Sequence, residues 1–326
     1  MHNKLKLNTI FSYSTYRNMA KFTRQSAGYL LLMAGIIGGA SSGAYAQSKS
    51  WKFTENNNNV IKAQRDGGDA ESSGEVKLDF FGHMAFRIIS PRDISVMIDP
   101  WRNDPSGYWG VWFPNEFPEV PVDIVLSTHA HFDHDAVYRP HANMVLERLG
   151  GDFSLGDVKI TGLADKHMCA AKGWYKWTDA QTEFGQSFCP PNNYMHMDNS
   201  IQVVETGGLK IAHWGDNRPV PSDHVLEKLK NVDVLILTID GSQHILSYDD
   251  IAKAISTINP KIVIPAHYYT KGASSVLTTL SDAAEWVSQQ GNVVKLDNSR
   301  LILKADEIKK MTGPTVYYFG ANFATK

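Results

Sequence analysis

Short apolar runs recur along this chain, each closed by a turn signal and, in the second half, separated by helical stretches. Residues 76–90 and 94–99 read as two strands joined by a turn at Pro91-Arg92-Asp93. Residues 136–149 carry helical periodicity and end on Gly150-Gly151, a good helix stop. A strand is expected over 158–163, then a hairpin of 201–205 and 209–213 around Gly207-Gly208. There follow a helix from Ser222, a strand over 232–239, a helix over 248–258, a strand over 261–265 and a helix over 275–289. Strands over 293–296 and 301–304 close the pattern. This mixed order predicts sheets packed centrally with helices outside, rather than a pure parallel repeat.

Two long connections interrupt the pattern. Residues 100–121 hold Trp101, Tyr108, Trp109, Trp112, Phe113 and Phe117, and residues 166–199 hold both cysteines, Trp174 and Trp177. Connections of this length are often functional walls or lids, and the first is equally consistent with packing over a sheet edge.

The N-terminus changes the picture. Lys4, Lys6, Arg17, Lys21 and Arg24 precede an apolar stretch over 29–40 and then Ala44-Tyr45-Ala46, with no acidic residue among the first 46. That is the layout of a secretory signal peptide, with Gln47 as mature start and Met1 or Met19 as initiator. The apolar run falls short of the ~20 residues that span a bilayer. The expected organisation is a signal over 1–46, a polar leader over 47–75 and one domain over 76–326, exported to a periplasm or secreted, with no membrane span after cleavage.

Removal of the signal leaves 27 basic residues against 34 acidic, a net charge of −7. Such a chain suits nucleic-acid phosphates poorly. Cys169 and Cys189 are the only cysteines. In an oxidising compartment they form either a disulfide, worth on the order of 3 kcal/mol, or two unpaired buried thiols.

The densest chemistry is Thr128-His129-Ala130-His131-Phe132-Asp133-His134, directly after the apolar run 123–127. In an extended segment His129 and His131 point the same way and can grip one ion, while the turn that follows can aim Asp133 and His134 at a second. Imidazole with carboxylate suits zinc, iron or manganese, and the lack of cysteine here argues against a closed structural zinc site. Further candidates stand just past strands: Asp99, His167, Asp216 in His213-Trp214-Gly215-Asp216, and His267 in Ile264-Pro265-Ala266-His267. Strand ends are rigid places from which to aim a ligand.

With Gly82-His83-Met84-Ala85-Phe86 and Ile98-Asp99-Pro100, these motifs make the chain resemble the metallo-β-lactamase superfamily. The similarity is greatest to its broad branch of metal-dependent hydrolases related to ascorbate-6-phosphate lactonases. The resemblance implies an α+β fold, a four-layer αββα sandwich, and two divalent metal ions, zinc first, with manganese or iron as alternatives. It implies that His129, His131 and His167 hold one ion and Asp133, His134 and His267 the other, with Asp216 bridging. Asp99 would steady a ligand. His83, His196 and His213 are candidates for supporting or substrate-contacting roles, while His141, His224 and His244 are expected at the surface.

Two close ions can share a water, lower its pKa and polarise the scissile bond, with Asp133 orienting the nucleophile. The function expected is therefore binuclear, metal-dependent hydrolysis of an ester, lactone, amide or phosphodiester by a metal-bridging hydroxide. The aromatic connections favour a small-molecule or lipid-like substrate. A non-catalytic metal- or ligand-binding protein and a di-iron oxidoreductase are the alternatives on the same fold.

Overall fold

A computed structural model describes residues 74–169 and 198–326. The expected signal peptide, nearly all of the polar leader, Cys189 and His196 lie outside the described residues. Cys169 is disulfide-bonded.

Fourteen strands form two sheets among the described residues. The six-stranded sheet contains β1 (Glu75–Phe80), β2 (Phe86–Ile89), β3 (Ser95–Ile98), β4 (Pro121–Ser127), β5 (His141–Glu147) and β13 (Arg300–Lys304), in the order β13-β1-β2-β3-β4-β5. The eight-stranded sheet contains β6 (Gly151–Leu155), β7 (Val158–Lys166), β8 (Asp198–Thr206), β9 (Leu209–His213), β10 (Val234–Thr238), β11 (Ile262–Ala266), β12 (Val293–Lys295) and β14 (Thr315–Tyr318). Their order is β12-β14-β11-β10-β9-β8-β7-β6.

The alternation of side chains along a strand builds the core between the sheets. Val76, Leu78 and Phe80 of β1, Val96 and Ile98 of β3, and Ile124 and Leu126 of β4 share one buried cluster with Val203, Ile211, Ile236 and Ile264 of the second sheet. β9, β10 and β11 run parallel, joined by α1 (Asp223–Leu229) and α2 (Tyr248–Ile258). Parallel neighbours need such crossovers, which lay the helices on a face of the sheet. Their apolar stripes, Val225 and Leu229, then Ile251, Ala254 and Ile258, join the same cluster. Ser247 and Asp250 form a capping box that starts α2, and Asn259 ends it in the left-handed conformation at φ 54°. Two short helices, α3 (Ala284–Ser288) and α4 (Ala305–Ile308), complete the set.

Three expectations need correction. The helix expected over 136–149 is instead β5, an edge strand parallel to β4. Pro140 removes a helical donor, and Ala142, Met144 and Leu146 fall on one half-buried face at a period of two. The single strand expected over 76–90 is two, because Gly82 (φ 87°) and His83 (φ 56°) turn the chain back. A side chain on Gly82 would begin 2.9 Å from Ala273 Cβ. The helix expected over 275–289 shrinks to α3, and Ser275 N–H instead ties the start of that segment to Trp112 O at 2.7 Å. β6 and β14 were not anticipated.

The loss of the 136–149 helix changes the layering. Met97 and Val125 face away from the sheet interface, and Trp101, Trp112, Phe113 and Phe117 of the 100–121 connection cover them. Trp101 stacks on Phe113 at 4.3 Å between centroids. Among the described residues, aromatic side chains take the place of a helix on that face, within a two-sheet α+β sandwich.

Candidate metal centre

The carboxyl ends of parallel strands from both sheets converge on one cluster. β3 delivers Asp99 and β4 delivers the 128–134 loop; β9 delivers Asp216 and β11 delivers His267. His167 follows β7, and its backbone pairs with Asn217 beside Asp216. Three of these positions demand unusual backbone. Asp99 (φ 52°), His83 (φ 56°) and His267 (φ 60°) sit in the left-handed region, each at a cost on the order of 1 kcal/mol or more. Gly215 (φ 59°) has no alternative, because a side chain there would begin 2.5 Å from Asn199 Oδ1 and 2.7 Å from Thr128 Oγ1.

Asp216 occupies the centre. Its Oδ2 lies 3.2 Å from His267 Nε2, 3.4 Å from His167 Nε2, 3.5 Å from His134 Nε2 and 3.9 Å from His129 Nε2. Asp133 Oδ2 lies 3.6 Å from His267 Nε2 and 3.7 Å from His134 Nε2. His129, His134 and His267 are buried with Nε2 lacking a hydrogen-bond partner, as does Asp216 Oδ1. Orphaned buried polar atoms are costly, so several aimed at one point call for a shared occupant. Ligands about 2.1 Å from a tetrahedral ion stand ~3.4 Å apart, close to the separations here.

Two groups emerge. Ligand atoms of His129, His131 and His167 lie within 4.8 Å of one another, as do those of His83, Asp133, His134 and His267. Asp216 with His129 and His134 links them. All-nitrogen-and-oxygen donors of this kind fit divalent zinc, manganese or iron.

The surroundings fix the rings. Asp99 accepts from Thr128 N–H and Thr128 Oγ1, both at 2.7 Å, and its Oδ2 is 2.7 Å from His134 Nδ1. That contact turns His134 Nε2 toward the cluster. His167 Nδ1 is 2.6 Å from Met168 O, which does the same for its ring. His83 Nε2 meets Asp133 Oδ2 at 3.1 Å, its ring lies 4.3 Å from that of His267, and its carbonyl accepts from His267 N–H. His83 thus holds both residues. His213 points elsewhere, with Nε2 2.9 Å from Met84 O and Nδ1 3.9 Å from Asp99 Oδ2.

Electrostatics divides the histidines. Burial, with help from neighbouring imidazoles, lowers His131 to about 3 and His83 to about 4, and drives His129 well below its usual value. Burial opposes a charge on His267 too, but Asp216 and Asp133 push it up to about 9 and raise His134 well above normal. Burial also works to protonate Asp133 and Asp216, yet His134 and His267 hold both carboxyls well below the ordinary range.

A cavity of about 330 Å³ opens onto this cluster, lined by His131, Asp133 and Asp216 on one side and Trp109, Trp112 and Phe132 on another. His244 also lines it and is buried, contrary to its expected surface position. Asp240 accepts from His244 N–H at 3.1 Å and so fixes the loop after β10. Burial, then the charge of His267, lowers His244 to about 3. The signal was its place just beyond a strand parallel to β11. His141 and His224 are exposed.

A model of the family described as "Beta-lactamase superfamily domain" matches residues 77–267. A UPF0173 metal-dependent hydrolase of Thermus thermophilus is 30% identical over 208 residues, covering 60% of this chain and 84% of that protein. One from Thermococcus onnurineus is 27% identical, over 60% of this chain and 85% of its own. A solved structure from Thermotoga maritima, described as a candidate Zn-dependent hydrolase of the metallo-beta-lactamase superfamily, aligns with a TM-score of 0.50. It shares 21% identity and covers 74% of this chain and 98% of that one.

Proposed function

The chain belongs to the beta-lactamase superfamily, and on that premise we propose that it is an exported metal-dependent hydrolase with two divalent ions, zinc first, acting on an ester, lactone, amide or phosphodiester. The observation that carries this reading is the position of Asp216 Oδ2, 3.2–3.9 Å from four imidazole Nε2 atoms drawn from both ligand groups. His129, His131 and His167 would hold one ion, Asp133, His134 and His267 the other, and Asp216 both. When bound, the ions supply Lewis acidity and an activated water.

The chain's own residues do the rest. Asp133 faces the cavity with its Oδ2 steadied by His83, which leaves it placed to orient a water and accept its proton. His244, whose pKa is lowered to about 3, lines the same cavity wall and would stand beside a bound substrate. Trp109, Trp112 and Phe132 exclude bulk water from one side, which strengthens each polar contact within.

The test is a screen of lactones, carboxylic esters, amides and phosphodiesters with chelator-stripped protein, before and after zinc or manganese is restored. Hydrolysis that appears only with metal supports the reading. Turnover unaffected by chelation contradicts it, and redox cycling of bound iron without hydrolysis would point to an oxidoreductase.

A further inference from the structure

The cavity above Asp133 and Asp216 has an unusual balance of charge. The cation on its lining, Arg102, is committed to Asp135, with Nε to Oδ1 at 2.8 Å and an Nη to Oδ2 at 3.2 Å. Among the described lining residues no other Lys or Arg is present, so the described part of the lining offers an anionic group no uncommitted Lys or Arg. Asp104 is likewise occupied, accepting from Ser106, Tyr108 and Trp109.

The aromatic wall continues out of the cavity onto the surface. Tyr108 is 58% exposed, Val111 50%, Val276 86% and Leu277 64%. Tyr108 and Val111 flank Trp109 and Trp112 in sequence, and Val276 and Leu277 follow Ser275, which is bonded to that segment. Ser275 N–H donates to Trp112 O at 2.7 Å and its hydroxyl to Val111 O. Leu277 Cδ1 lies 4.0 Å from where a side chain on Gly110 would begin. Scattered exposed apolar residues are ordinary. Four on two segments that are tied together beside the cavity-lining Trp109 and Trp112 are a different matter.

We propose that this rim is a substrate subsite. It takes the acyl or alkyl chain of an uncharged ester, lactone or amide whose carbonyl sits over Asp133 and Asp216. The assignment rests on the hydrolase reading and names its substrate class. A cavity of about 330 Å³ is at the small end for ligand sites, so a medium-length chain would extend past Trp109 and Trp112 toward the exposed Val111 and Leu277 that adjoin them.

The test begins on metal-free protein, where binding is separate from turnover. Neutral N-methylalkanamides from butanamide to decanamide are titrated against tryptophan fluorescence. The expected Kd falls about twofold per added methylene, half the free energy of full burial because the rim is open. The double variant Val276→Ser with Leu277→Ser loses that dependence. Ile302→Ser, on β13 at the opposite edge of the six-stranded sheet, retains it. A Kd independent of chain length, or a slope unchanged in the double variant, overturns the assignment. So does binding to phosphatidylcholine vesicles that the double variant abolishes while soluble amides do not bind, which would make the rim a membrane contact. Metal-loaded protein is then assayed on p-nitrophenyl esters of the same chain lengths. Chain-dependent binding with no hydrolysis of any ester would count against the hydrolase reading and leave the subsite standing.

Discussion

Asp79 and Asp216 are each 2% exposed, and the chain treats them in opposite ways. Both oxygens of Asp79 are filled by guanidinium groups, from Arg87 at 2.8 and 3.0 Å and from Arg300 at 2.5 and 2.8 Å. Arg87 and Arg300 come from the strands on either side of β1, so the cluster pins β13, β1 and β2 in register. Asp216 has one oxygen without a partner and the other amid four imidazoles at distances longer than good hydrogen bonds. A satisfied buried carboxylate is structure; an unsatisfied one ringed by orphaned nitrogens is a site.

The comparison breaks most visibly at Asp216. Asp216→Ala should reduce kcat/KM of the metal-loaded protein by more than the ~100-fold typical of losing a ligand's hydrogen-bond partner. Steady-state kinetics with far-ultraviolet circular dichroism would check it, and full activity in a folded variant would refute the assignment. Asp99 sits between the two cases, satisfied itself yet aiming His134. Asp99→Ala should weaken metal binding by about 10–100-fold in a competition titration against a chelator.

Asp79→Asn should leave kcat/KM unchanged while lowering unfolding free energy by about 2 kcal/mol in a urea titration. That is less than for a fully buried pair, because Arg300 is half exposed. Burial works to raise the pKa of Asp79, but Arg300 and Arg87 outweigh it and hold the carboxyl below its usual value. Its stabilisation is therefore full above the ordinary carboxylate range and lost as pH falls through the lowered folded value. A fall in activity with intact stability would erase the distinction between the two carboxylates.

The smallest effect is in protons. His134 and His267 carry raised pKa values, His267 about 9, and ligation needs neutral imidazole. Metal binding near neutrality should release protons from both, and affinity should climb with pH until it passes the raised values of the two imidazoles. Calorimetry in buffers of different ionisation enthalpy would count them.

Most of the eight-stranded sheet was legible, because 209–213, 232–239 and 261–265 are apolar runs punctuated by glycine, proline and helix signals. The candidate ligands were legible for the same reason: strand ends are local. What failed was set by distant partners. β5 became a strand by pairing with β4, and Pro140 with the short alternation Ala142, Met144, Leu146 was all that warned against a helix. β14 pairs with β11 and β12, so four residues, Thr315-Val316-Tyr317-Tyr318, acquire meaning only in the sheet. His244 had only its place beyond a strand to mark it, because its burial follows from the loop set by Asp240 and from a cavity it shares with aromatic residues more than a hundred positions earlier. His83 stood out by type, and its contact with Asp133 needed the turn between β1 and β2 to be seen.

Metal content per chain tests the central claim most directly, measured by mass spectrometry on the purified protein beside its Asp216→Ala variant. The account predicts about two zinc or manganese ions per chain, with a marked fall in the variant. Less than one ion, unresponsive to added metal and equal in the variant, would contradict the bridged pair.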